Sequence, residues 1–528
     1  MSRSFAVRGV VEGFYGTPWN HDARLEVIEF LARRGMNAYA YAPKDDTRQR
    51  TEWRTPYPAA ELTALTELAG HAAAHGVRFG FAISPGLDIA YESATDRAAL
   101  LSKLVPMRAA GVGWFLLLFD DIPMQRALAP RQADLAAWLL EELGDAALTV
   151  CPTEYVGTHP SPYLTELGVN LPAAIDVMWT GPTVCSEVIH EEHALGWAKA
   201  LGERHVILWD NYPVNDALMT HALHLGPYTG RDAALADRLG GVLCNPMIQP
   251  RASQVALATA MDFLRTPDDY EPDCAWKRAI ADVGADRAEP LAVLARACAD
   301  SPIATPDRLE SARATRRLAE ALDGPDWPGV VSDFQSELRA ARALPDALPP
   351  DEPLGGEVAP WVSAARRAAE AGLGALRLVQ HARPIGQIGE DGRGRVVVTD
   401  PEAAMHAAFL VLFVWQAARS DDQVVFGPRF ALYTPIIQLP DGAPALDARA
   451  AVREDANAID ALCRLALATY DSWRTLAAGQ ALRALVDGEE RLVAPDGSFD
   501  ARGADVIVGQ GPHLTRVGPL PFRDQRLP

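Results

Sequence analysis

Residues Phe115–Pro123, with the sequence FLLLFDDIP, place five large apolar residues directly before two adjacent aspartates. A short apolar run of this kind is typical of a buried strand. The two carboxylates at its end need an explanation, because neighbouring like charges repel unless a proton, a cation or a substrate group compensates them. The stretch therefore predicts a buried strand and marks Asp120 and Asp121 as candidate functional residues.

The same kind of apolar run recurs along the first half of the chain. The strand candidates are Ala6–Val11, Ala38–Ala42, Arg78–Ile83, Trp114–Phe119, Leu148–Cys151, Ile175–Trp179, Val206–Trp209 and Val242–Cys244. Between them, apolar residues at spacings of three and four predict helices, for example over 22–34, 59–75, 96–110, 131–143 and 186–201. Eight strand-helix units within about 250 residues are typical of a (β/α)8 TIM barrel. We therefore predict an α/β fold with a (β/α)8 barrel over residues 1–267.

The character of the sequence changes after the barrel segment. Ala, Arg, Leu and Glu with helical periodicity predict a mostly α-helical region in two parts, 268–345 and 361–486. A Pro-rich stretch predicts an exposed linker over 346–360, and GEDGRGR predicts a turn or a hairpin tip. Gly and Pro at short intervals favour an irregular C-terminal tail over 487–528.

Charge and cysteine usage exclude several classes of protein. The formal net charge of −20 argues against a surface for nucleic acid or for an anionic membrane. The six cysteines are spread singly without a C-x-x-C motif, as expected for reduced thiols. The N-terminus enters a strand pattern at once and no apolar run of about 18 residues occurs, so we expect a cytoplasmic protein without a membrane segment. The oligomeric state stays open.

Motifs for cofactors and metals are weak. No phosphate-binding or dinucleotide-binding fingerprint is present, so we expect no cofactor. The run HEEH, His190 to His193, has the wrong spacing for a zinc motif and is better explained as a solvated helix start. We predict no metal site.

The predicted strand ends are rich in Asp, Asn, Tyr and Trp. They read EGFYGTPW, YAPKDD, ISPG, FDDIP, CPTEY, MWTGP, LWDNYPVND and CNPM. In such barrels the active site lies at the C-terminal ends of the strands. Polar and aromatic groups that converge there can bind hydroxyls and stack on a flat face, as a sugar ring requires. Lys44 stands out, because only four of the 49 Lys and Arg residues are Lys.

Seven motifs resemble those of the catalytic barrel of the family-84 glycoside hydrolases, and they occur in the same order along the chain. These are β-N-acetylglucosaminidases that include protein O-GlcNAcases and some bacterial hyaluronidase-like enzymes. The resemblance covers most of residues 5–265, and the motifs are GVVEGFYGTPW, YAPKDD, FLLLFDDI, CPTEY, MWTGP, LWDNYPVND and GVLCNP. It implies a retaining hydrolase that removes terminal β-linked N-acetylglucosamine (GlcNAc).

The resemblance also implies a substrate-assisted mechanism. The 2-acetamido oxygen of the sugar attacks the anomeric carbon and forms an oxazoline, so that no protein nucleophile is needed. Asp120 is then expected to bind the acetamide N–H, and Asp121 to act as the general acid and base. A local alternative is a turn in which the two aspartates cap backbone N–H groups.

Further roles follow from the resemblance, position by position. Tyr155 is expected to bind the acetamide carbonyl, Trp209 to form a wall of the acetamide pocket, and Asn211 to hold the network around them. Alternatives are a strand-end tyrosine with its own partner for Tyr155 and plain core packing for Trp209. The remaining sugar contacts implied by the resemblance are Gly13, Phe14, Lys44 and Asn245.

Asp216 is expected to bind the outer hydroxyls of the sugar, although its position also suits a helix N-cap. Many relatives have a tyrosine directly after this aspartate, whereas this chain has Ala217. The departure leaves the outer rim and the preferred leaving group undefined.

The expected partner is a GlcNAc-bearing glycan or glycoprotein. Two alternatives stay open at this point. One is another amino-sugar glycosidase with the same chemistry, acting on hyaluronan fragments or muropeptides. The other is a non-catalytic GlcNAc-binding scaffold.

Overall fold

The computed structural model describes most of the chain, and all structural statements below refer to these residues. They are 3–204, 206–301, 317, 327–382, 385–388, 393–397, 401–427, 436–438, 444–446, 457–477, 483–492, 498–500, 502, 506–510 and 513–518.

Eight parallel strands form a closed barrel in which each strand pairs with the next and the eighth pairs with the first. The strands are β1 (Val7–Glu12), β2 (Ala38–Tyr41), β3 (Arg78–Ile83), β4 (Trp114–Leu118), β5 (Ala147–Cys151), β6 (Asp176–Trp179), β7 (Val206–Asp210) and β8 (Gly241–Cys244). The predicted TIM barrel is therefore confirmed, with a strand at each of the eight predicted places.

The apolar run that contains β4 is buried on both faces. Phe115, Leu117 and Phe119 belong to the core between the strands and the surrounding helices. Leu116 and Leu118 belong to a second core inside the barrel. Both faces of a parallel sheet are covered in this fold, so its strands are continuously apolar rather than alternating.

Seven α-helices follow the strands, and several begin at a polar cap. They are α1 (His21–Ala32), α2 (Ala59–Ala74), α3 (Ala94–Ala109), α4 (Leu128–Leu143), α5 (Pro162–Asn170), α6 (Glu191–Ala200) and α7 (Pro250–Arg265). The side chains of Asn20, Ser93 and Ser161 accept hydrogen bonds from backbone N–H groups in the first turns of α1, α3 and α5. Between β7 and β8 the chain forms two short 3-10 helices, Ala217–Met219 and Ala233–Asp237, in place of an α-helix.

The compact unit that contains the barrel also includes α8 (Pro272–Gly284), α9 (Ala288–Ala297) and the later segment 350–358. In that segment, Glu357 Oε2 accepts hydrogen bonds from the backbone N–H groups of Arg251 at 2.8 Å and Ala252 at 3.1 Å. These groups lie in the first turn of α7, where backbone donors have no partner within the helix. Part of the predicted linker thus completes a helix of the barrel unit.

The second unit is mainly helical. Its helices are α10 (Trp327–Arg342), α11 (Leu344–Ala347), α13 (Pro401–Arg419) and α14 (Ala458–Ala477), together with most of α12 (Pro353–Ala382). The start of α12 lies within the predicted linker. No helix in the described part of the chain is both long enough and apolar enough to cross a membrane.

Short strands accompany these helices. Antiparallel β9 (Ile385–Ile388) and β10 (Arg393–Val397) flank the predicted hairpin tip, of which 389–392 lie outside the described residues. A further antiparallel pair, β11 (Ile436–Gln438) with β12 (Pro444–Leu446), belongs to the barrel unit. The remaining strands are β13 (Arg483–Val486), β14 (Glu489–Leu492), β15 (Ser498–Asp500), β16 (Val506–Gln510) and β17 (His513–Gly518). Four of them lie in the stretch predicted as an irregular tail.

Candidate active site

The C-terminal ends of the barrel strands enclose one pocket. It is lined by Gly13, Tyr15, Lys44, Asp120, Asp121, Cys151, Tyr155, Thr180, Val184, Cys185, Trp209, Asn211, Val214, Asp216 and Asn245. Nine of the ten predicted site residues are among them, which places those nine together at the expected end of the barrel. Phe14 is the exception.

Asp120 is held by a buried cation. Lys44 Nζ forms an ion pair with Asp120 Oδ2, and the exposed fractions of the two side chains are 2% and 8%. The same ammonium lies 5.3 Å from the centre of the Trp209 ring. The other oxygen, Asp120 Oδ1, is buried and has no hydrogen-bond partner among the described residues. Because buried polar atoms are normally paired, this acceptor is suited to bind an N–H or O–H group of a ligand.

Asp121 is held by two tyrosine hydroxyls. Tyr15 donates to Oδ2 and Tyr155 donates to Oδ1, each at 2.7 Å. Burial acts to raise the pKa of Asp121, but the Lys44 ammonium, the two hydroxyl hydrogen bonds and the Arg50 charge outweigh it. The pKa of Asp121 therefore lies below its ordinary value, and the carboxyl is ionised in this arrangement.

The two hydroxyls remain protonated donors. Burial, followed by the negative charge of Asp121, raises the pKa of both Tyr15 and Tyr155 far above the ordinary tyrosine value. The alternative for Tyr155 was a tyrosine whose hydroxyl already has a partner. Its hydroxyl does have one, and this partner is Asp121 in the pocket.

An amide network joins β7, β8 and the loop after β1. Asn211 Oδ1 accepts from Trp209 Nε1 at 3.1 Å and from Asn245 Nδ2 at 2.9 Å. Asn211 Nδ2 donates to the carbonyl of Val184 at 2.8 Å, and the backbone N–H of Gly13 donates to Asn245 Oδ1 at 3.2 Å. Because the side-chain amides of Asn211 and Asn245 both have partners, the orientation of the pocket wall is fixed.

Gly13 is required by a neighbouring ring. A Cβ atom built at this position would lie 2.2 Å from Cζ2 of Trp209. The family resemblance implies a sugar contact at Gly13, and the close approach found in the structure is to the indole. Trp209 lines the pocket and also belongs to the core inside the barrel, so core packing and a place in the pocket wall do not exclude each other.

Asp216 is a buried carboxyl in the pocket wall. Its Oδ2 accepts the backbone N–H of Tyr15 at 2.7 Å, and burial raises its pKa to about 6. It precedes the 3-10 helix Ala217–Met219, but its side chain makes no cap hydrogen bond there. The N-cap alternative is therefore not supported. Ala217, the departure from the family pattern, has a φ of +49°.

Phe14 does not line the pocket with its side chain. Its ring is fully buried and packs 5.9 Å from the ring centre of Trp19. Its carbonyl accepts the backbone N–H of Lys44 at 3.2 Å. Phe14 thus connects the loop that carries Lys44 to the end of β1.

Tyr15 was not among the predicted site residues, although it lies inside the quoted motif EGFYGTPW. The signal was its place directly after a strand end, beside Gly13 and Phe14. Its contact with Asp121 joins residues 106 positions apart and becomes visible only in the folded barrel. Cys151 also lines the pocket, but burial raises the pKa of its thiol well above the ordinary value, so it is not a nucleophile.

No metal-ligand cluster lines the pocket among the described residues. The one grouping of potential ligands in that part of the chain is Glu29 with His71 and His75. Glu29 lies on α1, His71 on α2 and His75 directly after α2, and Glu29 is already paired with Arg33 at 2.7 Å. His190 and His193 lie at the start of α6, where the His190 backbone N–H donates to His193 Nδ1 at 3.1 Å. That contact fits the helix-start explanation of HEEH.

Comparison with known proteins adds to this geometry. The family model described as β-N-acetylglucosaminidase matches residues 8–296. The protein O-GlcNAcases of Rattus norvegicus and Mus musculus are each 39% identical over 274 residues, which is 49% of this chain and 30% of theirs. The chain therefore spans less than a third of the length of these curated relatives.

Two solved structures resemble the chain over a larger share of their length. A mutant O-GlcNAc hydrolase from Thermobaculum terrenum has a TM-score of 0.74 and 27% identity, covering 90% of this chain and 97% of that one. The structure of CpGH84B has a TM-score of 0.70 and 29% identity, covering 80% and 75%. Because the family model matches more than half of the residues, this chain belongs to the β-N-acetylglucosaminidase family.

Proposed function

We propose that the protein is a retaining glycoside hydrolase that removes terminal β-linked GlcNAc by substrate-assisted catalysis through an oxazoline intermediate. The observation that carries the proposal is the contrast between the two adjacent aspartates in the pocket. Asp120 has a buried acceptor without a partner, whereas both oxygens of Asp121 accept hydroxyl groups. This division fits one carboxylate that orients the substrate and another that transfers a proton.

In this mechanism Asp120 binds the acetamide N–H through Oδ1. As the acetamide oxygen attacks the anomeric carbon, positive charge develops on the nitrogen, and Asp120 stabilises that charge. Lys44 pairs with Asp120 and fixes its orientation. A preorganised charge of this kind acts strongly in a buried pocket, because no solvent has to reorganise.

Asp121 protonates the leaving oxygen and then accepts a proton from the attacking water. In the unliganded arrangement it is ionised, so it must gain a proton when a glycoside binds. The role proposed for Tyr155, donation to the acetamide carbonyl, withdraws its hydroxyl from Asp121 Oδ1. Losing this hydrogen bond raises the pKa of Asp121, as does the exclusion of water by the sugar. Substrate binding thereby prepares the acid.

The rest of the pocket supplies recognition. Trp209 forms the apolar wall for the acetamide methyl group, and Asn211 holds that wall through its amide contacts. Asp216 and Asn245 line the pocket from the loops after β7 and β8 and bind the outer hydroxyls. The contact proposed at Phe14 is assigned to its backbone, because its side chain lies in the core.

We propose a GlcNAc-modified protein as the natural substrate, because the relatives in rat and mouse bear the name protein O-GlcNAcase. A cytoplasmic location fits this substrate and the six free thiols. The proposed reaction needs no cofactor, since the acetamide group acts as the nucleophile.

The test is a kinetic series of aryl β-GlcNAc glycosides whose N-acyl group carries progressively more fluorine. Each fluorine weakens the acyl oxygen as a nucleophile, so we expect kcat to fall steeply along the series, while an enzyme with its own nucleophile shows a nearly flat response. The matched control is the corresponding aryl β-glucoside, which lacks the acetamide and should not be hydrolysed. A flat series, or absence of aryl release from the GlcNAc parent, contradicts the proposal.

A further inference from the structure

One buried cation beside the pocket has no part in the mechanism above. Arg50 is 7% exposed and stands on the loop between β2 and α2 that also carries Lys44. Its Nη2 donates to the backbone carbonyl of Asp121 at 3.3 Å. Its guanidinium carbon lies 5.6 Å from the centre of the Tyr15 ring. Arg50 therefore contacts both the peptide of Asp121 and a side chain that donates to the Asp121 carboxylate.

No carboxylate in the described part of the chain lies within ion-pair distance of Arg50, although its charge acts on Asp121 from farther away. Arg50 Nη1 is buried without a hydrogen-bond partner among these residues. Burying an unpaired cation costs free energy, so such a residue is seldom explained by stability alone. Nearby Arg48 also has a buried nitrogen without a partner, Nε, but its charge is paired with Glu61 at 3.0 Å.

The backbone next to Arg50 is anchored to the end of β3. Gln49 Nε2 donates to Ser84 Oγ at 3.1 Å, and the backbone N–H of Ser84 donates to the Gln49 carbonyl at 2.9 Å. A side chain that extends from an anchored backbone can hold its target within a narrow range of positions. The loop thus presents one cation to each aspartate: Lys44 to the carboxylate of Asp120 and Arg50 to the peptide of Asp121.

Asp121 needs such support because its φ is +55°. For most residues with a side chain this left-handed conformation is unfavourable, and it persists where neighbouring contacts impose it. We propose that Arg50 is a positioning residue for the acid/base group: it fixes the Asp121 peptide and the Tyr15 ring, so that the carboxyl points at the leaving oxygen. This inference rests on the proposed function of Asp121.

Arg50 also acts on the proton affinity of Asp121. The charged and titratable groups that face this carboxyl are Lys44, Arg50, Asp120, Asp216, Tyr15, Tyr155 and Cys151. Lys44 is already paired with Asp120, so removal of Arg50 leaves Asp121 with less compensating positive charge. A lost positive charge raises the pKa of a carboxyl, and the basic limb of the pH profile should move to higher pH.

The experiment compares Arg50→Met, Arg50→Lys and the control Arg48→Met on aryl β-GlcNAc glycosides with good and poor leaving groups. A positioned general acid is worth about 10²- to 10⁴-fold, so loss of positioning alone should lower kcat for the poor leaving group by about 10- to 100-fold. We expect KM and the good leaving group to change little. The basic limb should move to higher pH in Arg50→Met and stay in place in Arg50→Lys, while Arg48→Met behaves as the wild type.

A wild-type rate and pH profile in Arg50→Met overturns the inference. If Arg50→Met does not fold, as judged by circular dichroism and thermal melting, Arg50→Lys decides: it keeps the charge but not the planar fork, and a wild-type rate with the poor leaving group then overturns it. Absence of aryl release by the wild-type protein is a different result, because it contradicts the proposed function itself.

Discussion

At Asp216, the charge that is proposed to help bind the sugar lowers the stability of the folded chain, because the carboxyl is buried. Burial raises its pKa to about 6 from an ordinary value of 3.8. A carboxyl with a raised pKa keeps its proton in the folded state at a pH where the unfolded chain has lost it. The free energy of unfolding therefore falls as the pH rises from about 4 to about 6, and the loss is complete above that range.

We expect Asp216→Asn to be more stable than the wild type at pH 7.5 by about 1–3 kcal/mol, because the buried charge is gone while an oxygen remains for the Tyr15 N–H. The gain should vanish near pH 4, and activity should fall because a sugar contact is weakened. Urea unfolding at both pH values measures this. Asp45→Asn is the control, since exposed Asp45 accepts the neighbouring N–H of Gly16 in the same way. A gain that persists at pH 4 contradicts the explanation.

Much of the site could be predicted from single strand ends. Asp120, Asp121 and Lys44 each follow an apolar run, and the barrel pattern brings such positions together. Arg50 could not be predicted in this way, because it is 71 positions from Asp121 and stands on a loop whose course no periodicity encodes. The direction of the Phe14 ring was equally hidden, since successive residues at a strand end point to opposite sides.

At the scale of elements, β1 and β7 approach each other through Gly13 and the Trp209 ring. We expect Gly13→Ala to lower stability by about 1–3 kcal/mol, because the added Cβ collides with the indole. KM for an aryl β-GlcNAc should rise as the ring leaves its place in the pocket wall. Thermal melting and kinetics measure the two effects.

The control for Gly13→Ala is Gly70→Ala on α2, where an added Cβ meets no atom within 4 Å. Alanine favours a helix over glycine, so this variant should gain about 0.5–1 kcal/mol and keep its activity. Equal responses of the two variants would show that the indole contact has no special cost.

The strands were easier to predict than the connections between them. Each barrel strand is short, apolar and covered on both faces, which gives it a clear local signal. Between β7 and β8 the chain forms only 3-10 segments, and the buried ion pair of Asp210 with Arg231 at 2.7 Å lies in this region. Contacts of that kind override local helix propensity. The absence of an α-helix between β7 and β8 therefore depends on tertiary structure and could not be predicted from the local sequence.

At the scale of the whole molecule, the barrel unit is not continuous in sequence. Residues up to 301 belong to it, and the chain returns to it over 350–358. The expected linker there could not be recognised as structural, because Pro and acidic residues are equally typical of exposed loops. The composition does not reveal that the Glu357 carboxylate accepts a backbone hydrogen bond from the first turn of α7.

We expect Glu357→Ala to destabilise the barrel unit by about 0.5–2 kcal/mol, the usual cost of losing a helix N-terminal acceptor. Glu352→Ala is the control in the same segment, because its partner Arg287 is 42% exposed and such surface pairs contribute roughly 0–1 kcal/mol. Hydrogen exchange of the α7 amides locates the effect. Equal exchange in both variants would contradict the capping role.

The return of the chain at Glu357 has a consequence for biosynthesis. All eight strands and α7 leave the ribosome before residue 357 has been translated. In the nascent chain the first turn of α7 therefore stays uncapped until the later segment emerges. This turn lies shortly after β8 and Asn245 in the sequence. Stalling translation before this codon, and far enough after it that Glu357 has left the ribosome, followed by protease treatment of the stalled chains, should show α7 becoming resistant only in the longer one.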